Sequence, residues 1–394
     1  MKVKSKFDST DIGEVEDIKL SDIKTFQAAD SRMNPAKLLE AMASVLDKFY
    51  RSEENVTILA LETGRAKHPC KEELLKTIDL IKYPYGLKMI EAFGTSPVRI
   101  EYFRNVSGIA TDSSLPIFTM FKGILESILQ KRKPMILHNP LCPISTMTLS
   151  NDLYETLRET GDYIFDIVQE APIKAFDQWA EGEKVLIWGN THDFVDIQRK
   201  VDRNNVIWNR MENGVTVIPD RAHLDMAGNA VSGLSYLSVS NRFLMSQVFL
   251  VADKEYVFFK NRLIEYLKRD VKTGYGVEGD INYFNHPDDA TATREAVRRL
   301  LENGFDYVEG LHESVHLLEN RYGENVVPMD QITGPVVVLY HFKNIKEAID
   351  KAAAVKNCQF INIFTDSCNT LEYVRNRNST ETMRNLERSS SLLL

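Results

Sequence analysis

Apolar residues recur at helical spacing between residues 35 and 51. Leu38, Leu39, Met42, Val45 and Leu46 form one stripe, which predicts a helix from Pro35 to Arg51. Ahead of it, residues 1–33 are polar and show no period, so they read as a flexible N-terminal arm. Behind it, the run ILALETGRA stays helical until Gly64, a residue suited to ending a helix. From Val98 the period changes to an alternation of strand and helix. Strands are predicted at Arg99–Ile109, Pro134–Leu137, Tyr163–Val168, Lys184–Ile187 and Asn205–Trp208, with helices starting near Pro116, Ile144, Ile173 and Thr191.

The second half, from Met211, repeats the alternation. A strand at Val215–Ile218 leads to a helix opened by Asp220, whose stripe is Ala227, Ala230, Val231 and Leu234. A loop from Ser238 to Gln247 follows, then a strand at Val248–Val251 and a helix at Lys254–Arg269. A further helical pattern covers Asp288–Gly304, and after Tyr373 the Ser/Asn-rich ending reads as unpacked. Repeated βα units imply an α/β fold of two domains on mostly parallel sheets. Their expected limits are 34–210 and 211–375, followed by a tail at 376–394. No GxGxxG fingerprint occurs.

Composition narrows the class without naming it. The 394 residues are 43% apolar and 26% charged, ordinary for a globular protein with a full core. A formal charge of −8 argues against nucleic acid as the main partner. No apolar run is long enough to span a membrane, and the first twenty residues lack the apolar core of a secretory signal. Cys70, Cys142, Cys358 and Cys368 lie far apart, which fits free thiols in a reducing cytoplasm. The Lys131-Arg132-Lys133 turn and the helix carrying Arg294–Arg299 read as solvated faces.

Several segments together resemble the aldehyde dehydrogenase superfamily, and most closely its CoA-acylating branch. ALETGRA is similar to the segment closing that branch's first helical region. SGIATDSSLPIFTMFKGILESILQKRKPMILHNPLCPIST is similar to its glycine-isoleucine strand, short loop, helix, basic turn, strand and proline-containing loop. VLIWGNTHDF resembles the strand, glycine and helix start against which the family's pyrophosphate packs. QITGPVVV resembles its glycine-proline strand entry. The resemblance covers roughly residues 35–373. The family's glycine-rich C-terminal stretch and last pairing strand have no counterpart after Tyr373, which bears on the homo-oligomer the family would imply.

The resemblance implies an NAD- or NADP-linked oxidoreductase acting on an aldehyde or an acyl-CoA thioester, and it assigns positions residue by residue. His138 stands near the family's ribose-binding lysine, with Pro140 in the loop beside it. Gly189 and Thr191 match the pyrophosphate turn, and Gln331 replaces a ribose-gripping glutamate. Ser114 replaces the asparagine that helps hold the oxyanion, and Glu212 matches the general base by position. The attacking cysteine lies four residues before the Gln or Arg that leads into the second strand. Counting back from Gln247 gives Phe243. A thiolate attacks carbonyl carbon; a phenyl ring does not.

Ser238 and Ser240 flank the slot, but a serine nucleophile needs a base, and His223 belongs to the preceding helix. Cys142 maps to the cofactor loop, and Cys358 and Cys368 to the final strand and its exit. Two further readings therefore stand beside the first. One is an inactive binding or assembly subunit. The other is a zinc hydrolase through His312-Glu313-Ser314-Val315-His316, a literal HExxH that on a helix would put both histidines on one face.

Overall fold

The structure is a computed structural model that describes residues 2–5, 8–15, 35–82, 106–112, 115–129, 135–139, 141–159, 166–168, 184–189, 206–210, 214–220, 246–270, 273–274, 277, 281–282, 287–308, 315–320, 336–355, 360–363, 365, 367–370 and 373. Two compact units divide the chain between Arg210 and Met211.

Unit 1 opens with β1 (Lys2–Lys4) and β2 (Asp11–Glu14), an antiparallel pair. The arm expected over 1–33 is thus a packed hairpin in its described part. Val3 and Val15 are buried, and a Cβ on Gly13 would lie 2.7 Å from Ile144 Cδ1. One valine among lysines carries too little periodicity to be seen in the sequence.

Helix α1 (Pro35–Arg51) buries Leu38, Met42, Val45, Leu46 and Phe49 on one face. Ser52 caps α2 (Glu53–Thr63) by accepting the Asn55 N–H at 3.3 Å. Gly64 ends that helix in the left-handed region at φ 70°, its N–H donating to Ala60 O at 2.8 Å. Helix α3 (Lys67–Lys82) completes this layer, packing on α1 and α2.

The remainder of unit 1 alternates: β3 (Val106–Ala110), α4 (Pro116–Leu129), β4 (Met135–Leu137), α5 (Pro143–Glu159), β5 (Asp166–Val168), β6 (Lys184–Gly189) and β7 (Val206–Arg210). All five strands are parallel, in the order β5-β4-β3-β6-β7. The chain builds outward from β3 through β4 to β5, then returns to the other side of β3 with β6 and β7. Gly123 lets α4 lie against β3, because a Cβ there would meet Ile109 Cγ2 at 2.6 Å. Ile109 is fully buried and has no room to yield. Gly123→Ala is expected to lower stability by about 1–3 kcal/mol through overpacking. A urea midpoint equal to that of the parent would refute this close approach.

Unit 2 contains β8 (Gly214–Ile218), β9 (Ser246–Ala252), α6 (Asp253–Asp270), β10 (Thr273–Gly274), β11 (Ile281–Asn282), α7 (Pro287–Glu302), β12 (Asp306–Tyr307), β13 (His316–Glu319), β14 (Val336–Phe342), α8 (Ile345–Ala354) and β15 (Phe360–Ile363). Six strands form one sheet in the order β12-β13-β14-β9-β8-β15, parallel except for β12 at the edge; β10 and β11 pair separately. The runs VVVLYHF and QVFLVA are buried almost throughout, as strands covered on both faces require. Their core includes Val297 and Leu300 of α7 and Ala348 and Ala352 of α8. Helix α6 is tied across strand ends by Tyr256 and Lys260, which donate to Glu319 Oε2 at 2.9 and 2.8 Å.

The helical reading of HExxH is corrected here. His316 opens β13 and pairs in register with Val336. Val315, Leu317 and Leu318 are buried around it, and the strand pairing outweighs a helical spacing of two histidines. His312 lies outside the described residues. No helix among the described residues is long and apolar enough to cross a membrane.

Candidate functional site: the carboxyl edge of unit 1

In an open parallel sheet, ligands bind beyond the carboxyl ends of the strands, where the strand order reverses. That reversal falls between β3 and β6. The groups at this edge follow Ala110, Leu137 and Gly189, the last residues of β3, β4 and β6. Thr111 joins the first two: its N–H donates to Leu137 O at 3.1 Å, and its Oγ1 accepts the Asn139 N–H at 2.9 Å. Asp112 Oδ2 accepts the Leu115 N–H at 2.8 Å, fixing the turn into α4.

Helices α4 and α5 each follow a strand, so their N-termini open at this same edge with free N–H groups. Two buried glutamates occupy them. Glu73 Oε1 accepts from the N–H groups of Ile117 and Phe118, both at 2.9 Å, while Oε2 pairs with the buried guanidinium of Arg65. Burial pushes the Glu73 carboxyl above its ordinary range, against the pull of Arg65. Glu62 takes the Ile144 N–H on Oε1 at 2.6 Å and the Ser145 N–H on Oε2 at 2.9 Å, with the Ser145 hydroxyl also donating to Oε2. The ETG run with its arginine joins α2 to α3. In sequence Gly64 was legible as a helix stop, while the roles of Glu62, Arg65 and Glu73 were missed. A charged residue on an otherwise apolar helix such as ILALE was the available signal.

His138 is fully buried at the end of β4. Its Nδ1 lies 2.7 Å from Thr146 Oγ1 in the first turn of α5, and among the described residues Nε2 has no hydrogen-bond partner. Burial pushes the imidazole down to about 3, so it is neutral at physiological pH. Gly189 ends β6, placing a residue without a Cβ at the reversal point.

The other expected site residues Ser114, Pro140, Thr191, Glu212, Phe243, Gln331 and His312 lie outside the described residues. The strands they lead into are described. Position 212 precedes β8, 243 precedes β9, 331 precedes β14 and 312 precedes β13, all mutually parallel neighbours in one sheet. Those four strands all begin at the amino edge of the sheet. There the buried Gln247 side chain donates from Nε2 to Val336 O at 3.4 Å, linking the start of β9 to that of β14. His316 lies on this edge too, 3.0 Å from the Tyr307 hydroxyl. Among the described residues no group of three His, Cys, Asp or Glu is placed to hold a metal ion.

Of the cysteines, Cys70 and Cys142 are buried and Cys368 is exposed, while Cys358 lies outside the described residues. Burial pushes the Cys70 thiol up to about 11. Iodoacetamide at pH 8 is expected to label Cys368 at least about tenfold faster than Cys70 or Cys142. Peptide mapping that finds Cys70 labelled first would contradict this packing.

A five-stranded doubly wound unit followed by a second, mostly parallel unit is the architecture of the aldehyde dehydrogenases, and this chain has that fold. Three solved structures carry the comparison. An oxidoreductase from Marinobacter aquaeolei superposes with a TM-score of 0.73 at 16% identity, covering 95% of this chain and 84% of that one. An NAD-dependent aldehyde dehydrogenase from Sinorhizobium meliloti gives 0.71 at 18%, covering 95% and 81%. Aldehyde dehydrogenase 21 from Physcomitrella patens, solved with the reaction product succinate, gives 0.72 at 17%, covering 98% and 85%. No protein-family model and no curated protein matches the sequence.

Proposed function

We propose that the chain binds NAD or NADP at the carboxyl edge of unit 1 and belongs, by activity, with oxidoreductases acting on an aldehyde or an acyl-CoA thioester. The observation that carries this reading is the strand reversal between β3 and β6, with Gly189 ending β6 and, at the end of β4, a buried His138 Nε2 that has no hydrogen-bond partner among the described residues. The edge suits a dinucleotide. Glu73 and Glu62 already satisfy the starts of α4 and α5, which leaves the turn after Gly189 to receive a pyrophosphate, with Thr191 beside it. His138 and Pro140 would stand toward the adenosine. A bound nicotinamide supplies hydride transfer. Residues 34–210 then form the dinucleotide-binding half and 211–375 the catalytic-type half.

Ser114, Glu212 and Phe243 are this chain's residues at the oxyanion, base and attack positions. Ser114 can donate one hydrogen bond to an oxyanion, and Glu212 can hold a proton. Phe243 favours a second reading, in which the chain retains the cofactor site and acts as a binding or assembly subunit. One assay separates the two. NADH oxidation with acyl-CoA, or NAD reduction with aldehyde, above a heat-killed control supports the oxidoreductase; no turnover with intact NADH binding supports the subunit. Phe243→Cys is expected to introduce a thiol alkylated faster than the four native cysteines. An unreactive thiol there would remove position 243 from the attack position.

A further inference from the structure

Helix α6 buries one side and turns a basic, partly apolar side outward. Phe259, Leu263 and Leu267 face the sheet, with the Phe259 ring 5.8 Å from that of Phe249 in β9. On the far side Val257 is 63% and Phe258 39% exposed, adjacent large apolar residues on one helix face. The exposed cations of α6 are Lys254, Arg262, Lys268 and Arg269, and its exposed anions are Asp253 and Glu265. Four against two leaves that side at +2, on a chain whose formal charge is −8. Both anions are already engaged, Glu265 by Arg262 at 3.1 Å and Asp253 by His341 at 2.6 Å. The half-buried Tyr266 ring lies 5.2 and 5.0 Å from the guanidinium groups of Arg262 and Arg269, which keeps both beside the outward face.

The chemistry of the face selects among occupants. A second copy meets itself badly: antiparallel pairing about Asn261 sets Lys254 against Lys268, and parallel pairing sets each cation against its own double. One side of an 18-residue helix, about 27 Å long, also falls short of the roughly 800 Å² per partner of a stable interface. A peptide needs a groove or an open strand edge, and the outward face of a single helix is neither. An anionic bilayer needs only a level approach, several cations at headgroup height and one or two apolar side chains that enter shallowly. The outward side of α6 supplies all three.

We infer that this side of α6 rests on an anionic phospholipid surface. Val257 and Phe258 enter the boundary between headgroups and acyl chains, and Lys254, Arg262, Lys268 and Arg269 meet the lipid anions. The contact is peripheral, since no helix among the described residues is long and apolar enough to cross a membrane. Co-sedimentation of the full chain with vesicles tests it. Vesicles holding about 30% phosphatidylserine are expected to bind at least about tenfold more strongly than phosphatidylcholine alone, and salt at about 0.5 M should remove most of that gain. Lys254→Glu with Lys268→Glu, shown folded by circular dichroism, is expected to lose at least about tenfold on the anionic vesicles. Val257→Ser with Phe258→Ser is expected to lose at least about fivefold. No binding at millimolar lipid, equal binding to the two compositions, or undiminished binding by either folded pair overturns the inference. Heparin binding as tight as vesicle binding and indifferent to the serine pair would assign the face to a soluble polyanion instead. A dimer in analytical ultracentrifugation that the serine pair dissolves would assign it to a second copy. Should the serine pair not fold, the lysine pair decides.

Discussion

Glu73→Leu is expected to cost the fold about 3–5 kcal/mol, the usual penalty for breaking a buried ion pair on one side. The variant leaves the Arg65 guanidinium in a site with no solvent exposure and strips the N–H groups of Ile117 and Phe118 of their acceptor. Adding Arg65→Met removes the stranded charge, so the double variant should regain a large part of the loss, although the two N–H groups remain unmet. Urea midpoints for both chains check the claim. A double variant no more stable than Glu73→Leu would mean that the stranded charge is not the source of the loss.

The second large effect concerns pH. In the unfolded chain His138 titrates near its ordinary value of 6.5, and in the fold it is held down to about 3. Between those values the unfolded state binds more protons than the folded one, so stability rises with pH across that window. The contribution is complete above about pH 7 and is lost as pH falls, at up to about 1.4 kcal/mol per pH unit. Glu73 is pushed the other way, so the slope of the parent alone mixes opposing effects. His138→Gln isolates it: the parent's stability minus the variant's should fall steadily from pH 6.5 to 4. A difference independent of pH would place a charged imidazole at the end of β4.

How much of this was written in the chain depends on the range of the contact. The stripe from Leu38 to Leu46 made α1 legible from Pro35 to Arg51, because a helix against a core repeats its apolar positions locally. The runs at Val215–Ile218 and Val248–Val251 announced β8 and β9 because strands buried on both faces are apolar throughout. Glu62 gave no comparable sign. Its acceptors serve N–H groups 82 and 83 residues further on, and those of Glu73 serve groups 44 and 45 residues on. No local pattern encodes a cap supplied from another layer.

HExxH failed for a related reason. Its spacing matched a helix, but His316 through Glu319 gain partners in Val336 through Leu339, which no window around residue 316 contains. The N-terminal hairpin failed through brevity, its strands holding three and four residues. Ends of elements were legible where a glycine marked them, at Gly64 after α2 and at Gly189 closing β6. The candidate site was faint where a buried charge did the positioning, the one sign being a glutamate on the otherwise apolar run ILALE.

A dinucleotide lying across the ends of β3, β4 and β6 is tested most directly by a crystal structure of the chain soaked with NADH, and such a binding mode has a definite signature. It predicts the pyrophosphate density beside the turn after Gly189 and the adenosine ribose near His138, with Glu62 still bonded to Ile144 and Ser145. Density for NADH at some other surface, or none at saturating concentration, would contradict it.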